Sequence, residues 1–245
     1  MVRRTGSGEI GVRLRWLFWE TLIIALGVLI AFAVNDYWSD RSDRELELQY
    51  LNRLHSDLKG DEAWVVNFNK NSIPTKMAAL DAIAPVVRGK QPVPEDAEEF
   101  FQNVMYGGIG GVSPNYFVTE TTFEDLKATG NLRLIRDVEL RDKINVYYRI
   151  FANNHARVLA RTTGYSNYVL SILPAEKRQN VDMETIKEFG VQRAVDRILS
   201  TEFENLLGQE YNFAYFMQIM YPIFESRSTD LAEEVDAHIR ELENQ

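Results

Sequence analysis

Between Trp16 and Trp38 the chain is apolar except at Glu20, Thr21, Asn35 and Asp36 and at the terminal Tyr37. Those 23 residues make about 34 Å of helix at about 1.5 Å per residue, enough to cross a bilayer with some tilt. Trp16 and Trp19 stand at one end and Tyr37 and Trp38 at the other, where rings with apolar and polar parts favour the headgroup zone. Beyond Trp38 the pattern stays helical to about Asn69, with Leu51, Leu54 and Leu58 at a/d spacing and Trp64 and Val65 continuing the seam. The span is therefore expected to extend as one long helix, its seam packing on a domain or on a sister chain.

Further elements follow from periodicity and stop signals. Pro74 opens a helix to about Val87, and another follows Pro94 to Met105 with Glu95, Asp96, Glu98 and Glu99 near its start. The stretch GGIGGVSPN, residues 107–115, is the clearest loop. A short helix from Thr119 to Thr129 stops at Gly130-Asn131. Leu132 to Asp137 links it to a long helix from Val138 to Leu173, which Pro174 ends. Asp182 caps a helix to about Ser200, Thr201 starts the next, and Glu210 to Glu243 reads as helix with Pro222 as a place for a kink. No strand run, repeat or low-complexity tract stands out. The expected fold is all-α: one N-terminal transmembrane helix extending into a long helix, followed by an extracytoplasmic helical bundle. The expected segments are a basic arm 1–15, the span 16–38, a helical stalk 39–72 and a domain 73–245.

Charge orients this arrangement. Residues 1–15 carry +3 from Arg3, Arg4, Arg13 and Arg15 against Glu9, and with −9 overall the remainder carries −12. The positive-inside bias puts the arm in the cytoplasm and the acidic domain outside, across a bacterial inner membrane with the domain periplasmic. An acidic domain repels phosphate, so nucleic acid is not an expected partner. A cleaved signal competes with the anchor, because Ala31-Phe32-Ala33 fits a small-x-small cleavage site. Glu20 interrupts the apolar region, and the helical pattern runs on past Ala33, which favours the anchor. A twin-arginine signal is not supported, since Thr5-Gly6-Ser7 follows Arg3-Arg4.

At 100° per residue, Glu20, Gly27, Ala31 and Asn35 share one face of the span, with Ile24 and Trp38. Gly27 and Ala31 form a small-xxx-small pair that admits a second helix, and Asn35 can hydrogen-bond across it. Leu22, Ile23, Leu29, Ile30 and Phe32 suit lipid on the other side. A carboxylate at Glu20 is costly in hydrocarbon. It has three readings: pairing with Arg13, Arg15 or headgroups, bonding across a helix interface, or lining an ion path.

The remaining chemistry is sparse. There is no cysteine, so disulfides, Cys-ligated zinc and thiol catalysis are excluded. His55, His155 and His238 lack zinc spacing, no Gly-x-Ser-x-Gly elbow occurs, and the Gly-rich loop lacks the Gly-Lys-Ser/Thr of a phosphate-binding loop. Glu120 to Asp125 reads first as helix capping. Arg141 is a candidate pair for Glu124 or Asp125 between helices. Tyr211, Phe213, Tyr215, Phe216, Tyr221 and Phe224, with Met217 and Met220, read first as a core helix. Within them Tyr211, Tyr215, Phe216 and Tyr221 are the candidate surface for a partner or ligand.

Two stretches carry a resemblance: Glu20, Gly27 to Ala31, Asn35, Trp38, Tyr50-Leu51, Leu54 and Asp57-Leu58; then Phe123, Leu126, Gly130-Asn131-Leu132, Ile135, Leu140-Arg141, Ile144 and Tyr147-Tyr148. Together they resemble an uncharacterised family of small bacterial single-span membrane proteins, a domain of unknown function. The resemblance covers under half of the chain. It implies an anchored, helical, extracytoplasmic protein and brings no catalytic residues.

With two interaction-type surfaces and no catalytic constellation, the expected function is a non-enzymatic scaffold or accessory subunit in the bilayer. It would self-associate or bind a membrane-protein partner, without a cofactor or metal. A periplasmic sensory or small-molecule-binding domain is the alternative, an oligomeric pore using Glu20 a lesser one, and an enzyme the last.

Overall fold

The computed structural model describes residues 7–109, 118–173, 175–177 and 180–244. The first six residues of the basic arm, residues 110–115 of the Gly-rich loop and Pro174 lie outside them. The chain divides into two compact units, Met1–Tyr50 and Leu51–Gln245.

Helix α1 (Ser7–Asn67) is continuous, as its uninterrupted apolar spacing predicts. In the first unit every side chain from Trp16 to Glu45 is exposed. This stretch includes the one helix among the described residues that is long and apolar enough to cross a membrane. Past Trp38, α1 carries the exposed i,i+4 ion pairs Arg44–Asp40 and Arg41–Glu45.

The second unit begins inside α1. Leu51, Leu54, Leu58 and Val65 are buried, so the a/d seam from Leu51 on belongs to this unit's core. A π turn, Phe68–Ser72, then joins α1 to α2 (Ile73–Val87). Pro74 has no N–H and its ring clashes with the carbonyl four residues back. The wider turn, with Ile73 N–H bonded to Phe68 O, carries the chain past that clash. It also lays Phe68 against Trp64 and Tyr221, with centroids 5.1 and 4.7 Å away.

Helix α3 (Ala97–Gly107) is capped by Asp96, and α4 (Thr121–Ala128) is followed by Gly130 at φ 72°, the left-handed stop expected there. A 3₁₀ turn, Asn131–Leu134, leads to α5 (Val138–Leu159), where Asp137 accepts from Glu139 and Leu140 N–H.

Two expected helices are each split. The stretch from Val138 to Leu173 breaks after Leu159 and resumes as α6 (Tyr165–Ile172). Thr162 Oγ1 donates back to Leu159 O at 2.8 Å, and Thr163 Oγ1 accepts from Tyr165 N–H at 3.1 Å. These side-chain bonds compete with the helical ladder, and Gly164 lowers its propensity further. Apolar spacing persists across the break, which hides it from periodicity. The second split is at Gly190, whose φ of 96° ends α7 (Met183–Phe189) and starts α8 (Val191–Ile198). A short antiparallel pair, β1 (Ala175–Lys177) with β2 (Asn180–Val181), precedes α7 and had no signal in the sequence.

Helix α9 (Thr201–Glu243) runs unbroken through Pro222 and packs against α2, α5 and α6. Phe203, Leu207, Phe213, Met217, Tyr221, Phe224, Leu231, Val235 and Ile239 put one face of it in the core. Around its first half Leu80, Phe101, Val104, Tyr165, Val169 and Ile198 form a dense apolar cluster.

Candidate interaction site

Glu20, Gly27, Ala31 and Asn35 are all exposed on α1, and a Cβ added at Gly27 would meet nothing within 4 Å. Thr21 satisfies its own hydroxyl by donating to Leu17 O at 2.8 Å. The stripe thus offers a shallow, small-residue surface with a carboxylate at one end and an amide at the other.

The aromatic group on α9 is divided by the helix phase. Tyr221 is 1% exposed and stacked on Phe68, so it is core and leaves the candidate surface. Its phase matches Phe213, Met217 and Phe224, the buried face. Tyr211 is half-buried, and its hydroxyl donates to Asp81 Oδ1 at 2.8 Å. Phe216 is half-buried beneath the Arg161 guanidinium, 4.3 Å from the ring centroid. Tyr215 is 50% exposed and continues into Ile219 and Ile223, also exposed. That i, i+4, i+8 stripe, not the four-residue set, is the apolar surface of α9.

The pairing of Arg141 with Asp125 is corrected. Asp125 Oδ2 pairs with Arg53 Nη1 at 3.1 Å, while Arg141 Nη1 donates to Ile135 O at 3.4 Å. The intervening 3₁₀ turn places Arg141 over its own entry strand of chain, and the seam of α1 brings Arg53 to α4.

Two buried polar clusters had no sequence signal. In the first, Lys76 on α2 and Glu210 on α9 are fully buried and ion-paired. Lys76 Nζ also donates to Gly107 O at 2.6 Å and Ile109 O at 2.9 Å, and Thr163 Oγ1 donates to the other oxygen of Glu210. An ammonium has three donors, and all three are engaged. Burial lowers the Lys76 pKa, and the Glu210 charge pulls it back up. A lysine held this way clamps three segments together and presents no free nucleophile.

In the second cluster Asp61 of α1 accepts from Thr119 N–H at 2.9 Å and Thr119 Oγ1 at 3.0 Å, and from Tyr147 Oη at 3.3 Å. Tyr147 Oη lies 3.0 Å from Ser228 Oγ, and Tyr148 Oη donates to Thr119 O. Burial pushes the Asp61 carboxyl up to about 6 and the Asp57 charge adds to this, against the hydrogen bonds that favour the anion. Burial and the Asp61 charge also hold the Tyr147 phenol above its ordinary range.

The native state keeps the Asp61 proton up to about pH 6, whereas the unfolded chain releases it near 3.8. Stability from this group is complete below pH 3.8 and is lost as pH rises through about 6, by about 3 kcal/mol. Asp61→Asn keeps the acceptor for Thr119 and removes the charge. Thermal melting of wild type and variant between pH 4 and 8 should show the variant flatter and the more stable of the two at pH 8. Parallel curves would refute the assignment.

Between α5 and α9 lies an open groove of about 640 Å³, floored by Tyr147 and Leu231 and walled by Val138 and Val146. Lys143 crosses it, bonded to Glu139 at 3.2 Å and to Glu234 at 2.9 Å. Among the described residues no three His, Asp or Glu side chains are grouped to hold a metal. No protein-family model, curated protein or solved structure matches the chain.

Proposed function

We propose that the chain is a membrane-anchored, non-enzymatic scaffold or accessory subunit. Its span crosses a bacterial inner membrane with the N-terminus in the cytoplasm, and its helical domain meets a partner in the periplasm. The family resemblance of the span and of residues 121–148 supports the same reading. The observation that carries it is the apolar surface of α1: Trp16, Phe18, Ile23, Leu29 and Phe32 are each more than half exposed. Burying such surface is worth about 25 cal/mol per Å², and only lipid or another helix can supply that. The two buried charge clusters support the non-enzymatic part, because their donors and acceptors are spent on each other.

Within this reading the Glu20–Gly27–Ala31–Asn35 stripe is the helix-association face. The cysteine-free chain allows a clean test. A single cysteine at Gly27 or Ala31 should give a disulfide-linked dimer, or a crosslink to a partner, in oxidised native membranes. A cysteine at Leu29, on the opposite side, should not. Equal crosslinking from both sides, or none from either, would rule out the stripe as the contact.

A further inference from the structure

We infer that a cavity between α6, α7 and α8 binds a small organic anion, a carboxylate or similar monoanionic head on a compact apolar body. The cavity measures about 390 Å³, within the range of roughly 300–1,000 Å³ typical of small-molecule sites. Leu170, Ile172, Ile186 and Ala194 supply its apolar wall, and Arg193 and Arg197 stand on its rim. Among the described residues no aspartate or glutamate lines it, although the whole chain carries 36 acidic residues against 27 basic ones. A doubly basic, acid-free lining in an acidic protein selects for the charge of its occupant.

The arginines are placed for that role. They are four residues apart on α8, so both project to one side of the helix, where like charges repel until an anion joins them. Arg197 is pre-oriented: its Nε donates to Tyr168 Oη at 3.1 Å and its guanidinium sits 4.9 Å from the Tyr168 centroid. That hydroxyl in turn donates to Arg197 O at 3.0 Å. With Nε engaged, the two terminal nitrogens remain for an anion, the pair that grips a carboxylate end-on. The Arg193 guanidinium makes no hydrogen bond or ion pair among the described residues. Ser171 has its proton committed to Tyr168 O at 2.6 Å, so it adds no competing donor. Gly190 also lines the cavity, at a φ of 96° that strains any residue with a side chain. Polar recognition thus comes from the two guanidiniums and size selection from the apolar wall.

This inference does not depend on the membrane reading. The test titrates the full chain in phosphatidylcholine nanodiscs calorimetrically with 4-phenylbutyrate. The controls are 4-phenylbutanol, which lacks the charge, and acetate, which lacks the apolar body. Saturable binding of 4-phenylbutyrate is expected, with both controls at least about tenfold weaker. Arg193→Gln should weaken 4-phenylbutyrate by about tenfold, and Arg193→Lys should restore part of the loss. An unchanged melting temperature in both variants shows that the fold is intact, as expected for an exposed, unpartnered side chain. The proposal is overturned by the absence of saturable 4-phenylbutyrate binding, by equal binding of either control, or by Arg193→Gln binding like wild type.

Discussion

Lys76→Met should lower the stability of the chain by about 3–5 kcal/mol. The lysine and Glu210 are both fully buried, so removing the cation strands a carboxylate beside the Phe213 ring, whose centroid lies 5.6 Å from Nζ. It also removes the donor to Gly107 O and Ile109 O. For a domain of this size the loss corresponds to a fall in melting temperature of about 10 °C or more. The double variant Lys76→Met with Glu210→Met should recover the larger part, since no uncompensated charge then remains. It should still fall short of wild type, because the two carbonyls lack their donor and Thr163 lacks its acceptor. Near-ultraviolet circular dichroism in detergent, followed with temperature, reads wild type and both variants. A single variant that melts within 2 °C of wild type would show that the pair is hydrated and contributes nothing as a clamp.

That pair also shows what the sequence leaves hidden. Lys76 sits in a helix, and by residue type it reads as solvent-facing. Its partner lies 134 positions away, a separation that no periodicity spans. By contrast α1, the Asp182 cap and the Gly130 stop rest on local chemistry: unbroken apolar spacing, a carboxylate facing free N–H groups, a glycine where φ is positive. These were legible in full. The breaks at Thr162 to Gly164 and at Gly190 were not, because the apolar positions keep helical phase across both. A Thr-Thr-Gly step and a glycine between two caps were the available signals, and each is weaker than the hydrophobic pattern around it. The shared phase of Glu20, Gly27, Ala31 and Asn35 on α1 was legible for the same reason, since side-chain phase on one helix needs only residue spacing. The α9 face was half legible. Aromatic content marked the helix, but assigning Tyr221 to the core and Tyr215 to the surface requires knowing which side meets α2 and α5. The cavity at Arg193 and Arg197 joins α6, α7 and α8 across the misread break at Gly190, so the sequence reading could not assemble it.

The other large effect concerns the span. Replacing Leu26 and Leu29 together by arginine should abolish membrane retention of the chain. Both residues are exposed, at 52% and 65%, and both lie near the middle of the 16–38 stretch on the side away from Glu20 and Gly27. An arginine at the centre of a transmembrane helix costs about 2.5–3.5 kcal/mol on an insertion scale, so two cost about 5–7. Each leucine removed also gives up its own favourable transfer. Glu20 does not offset this: it lies about two turns from Leu26, near the Trp16 end, where pairing would draw the helix out of register. Carbonate extraction followed by centrifugation should find the wild-type chain in the pellet and the double variant in the supernatant. A Glu20→Gln chain should stay in the pellet, since it removes a charge from the apolar phase. The same preparation separates anchor from signal. An anchored chain retains the residues before Trp16, whereas cleavage after Ala33 would leave a chain starting at Val34, released in both forms. Retention that survives both arginines would place the membrane attachment elsewhere, and the exposed apolar surface of α1 would then need a protein partner rather than lipid to cover it.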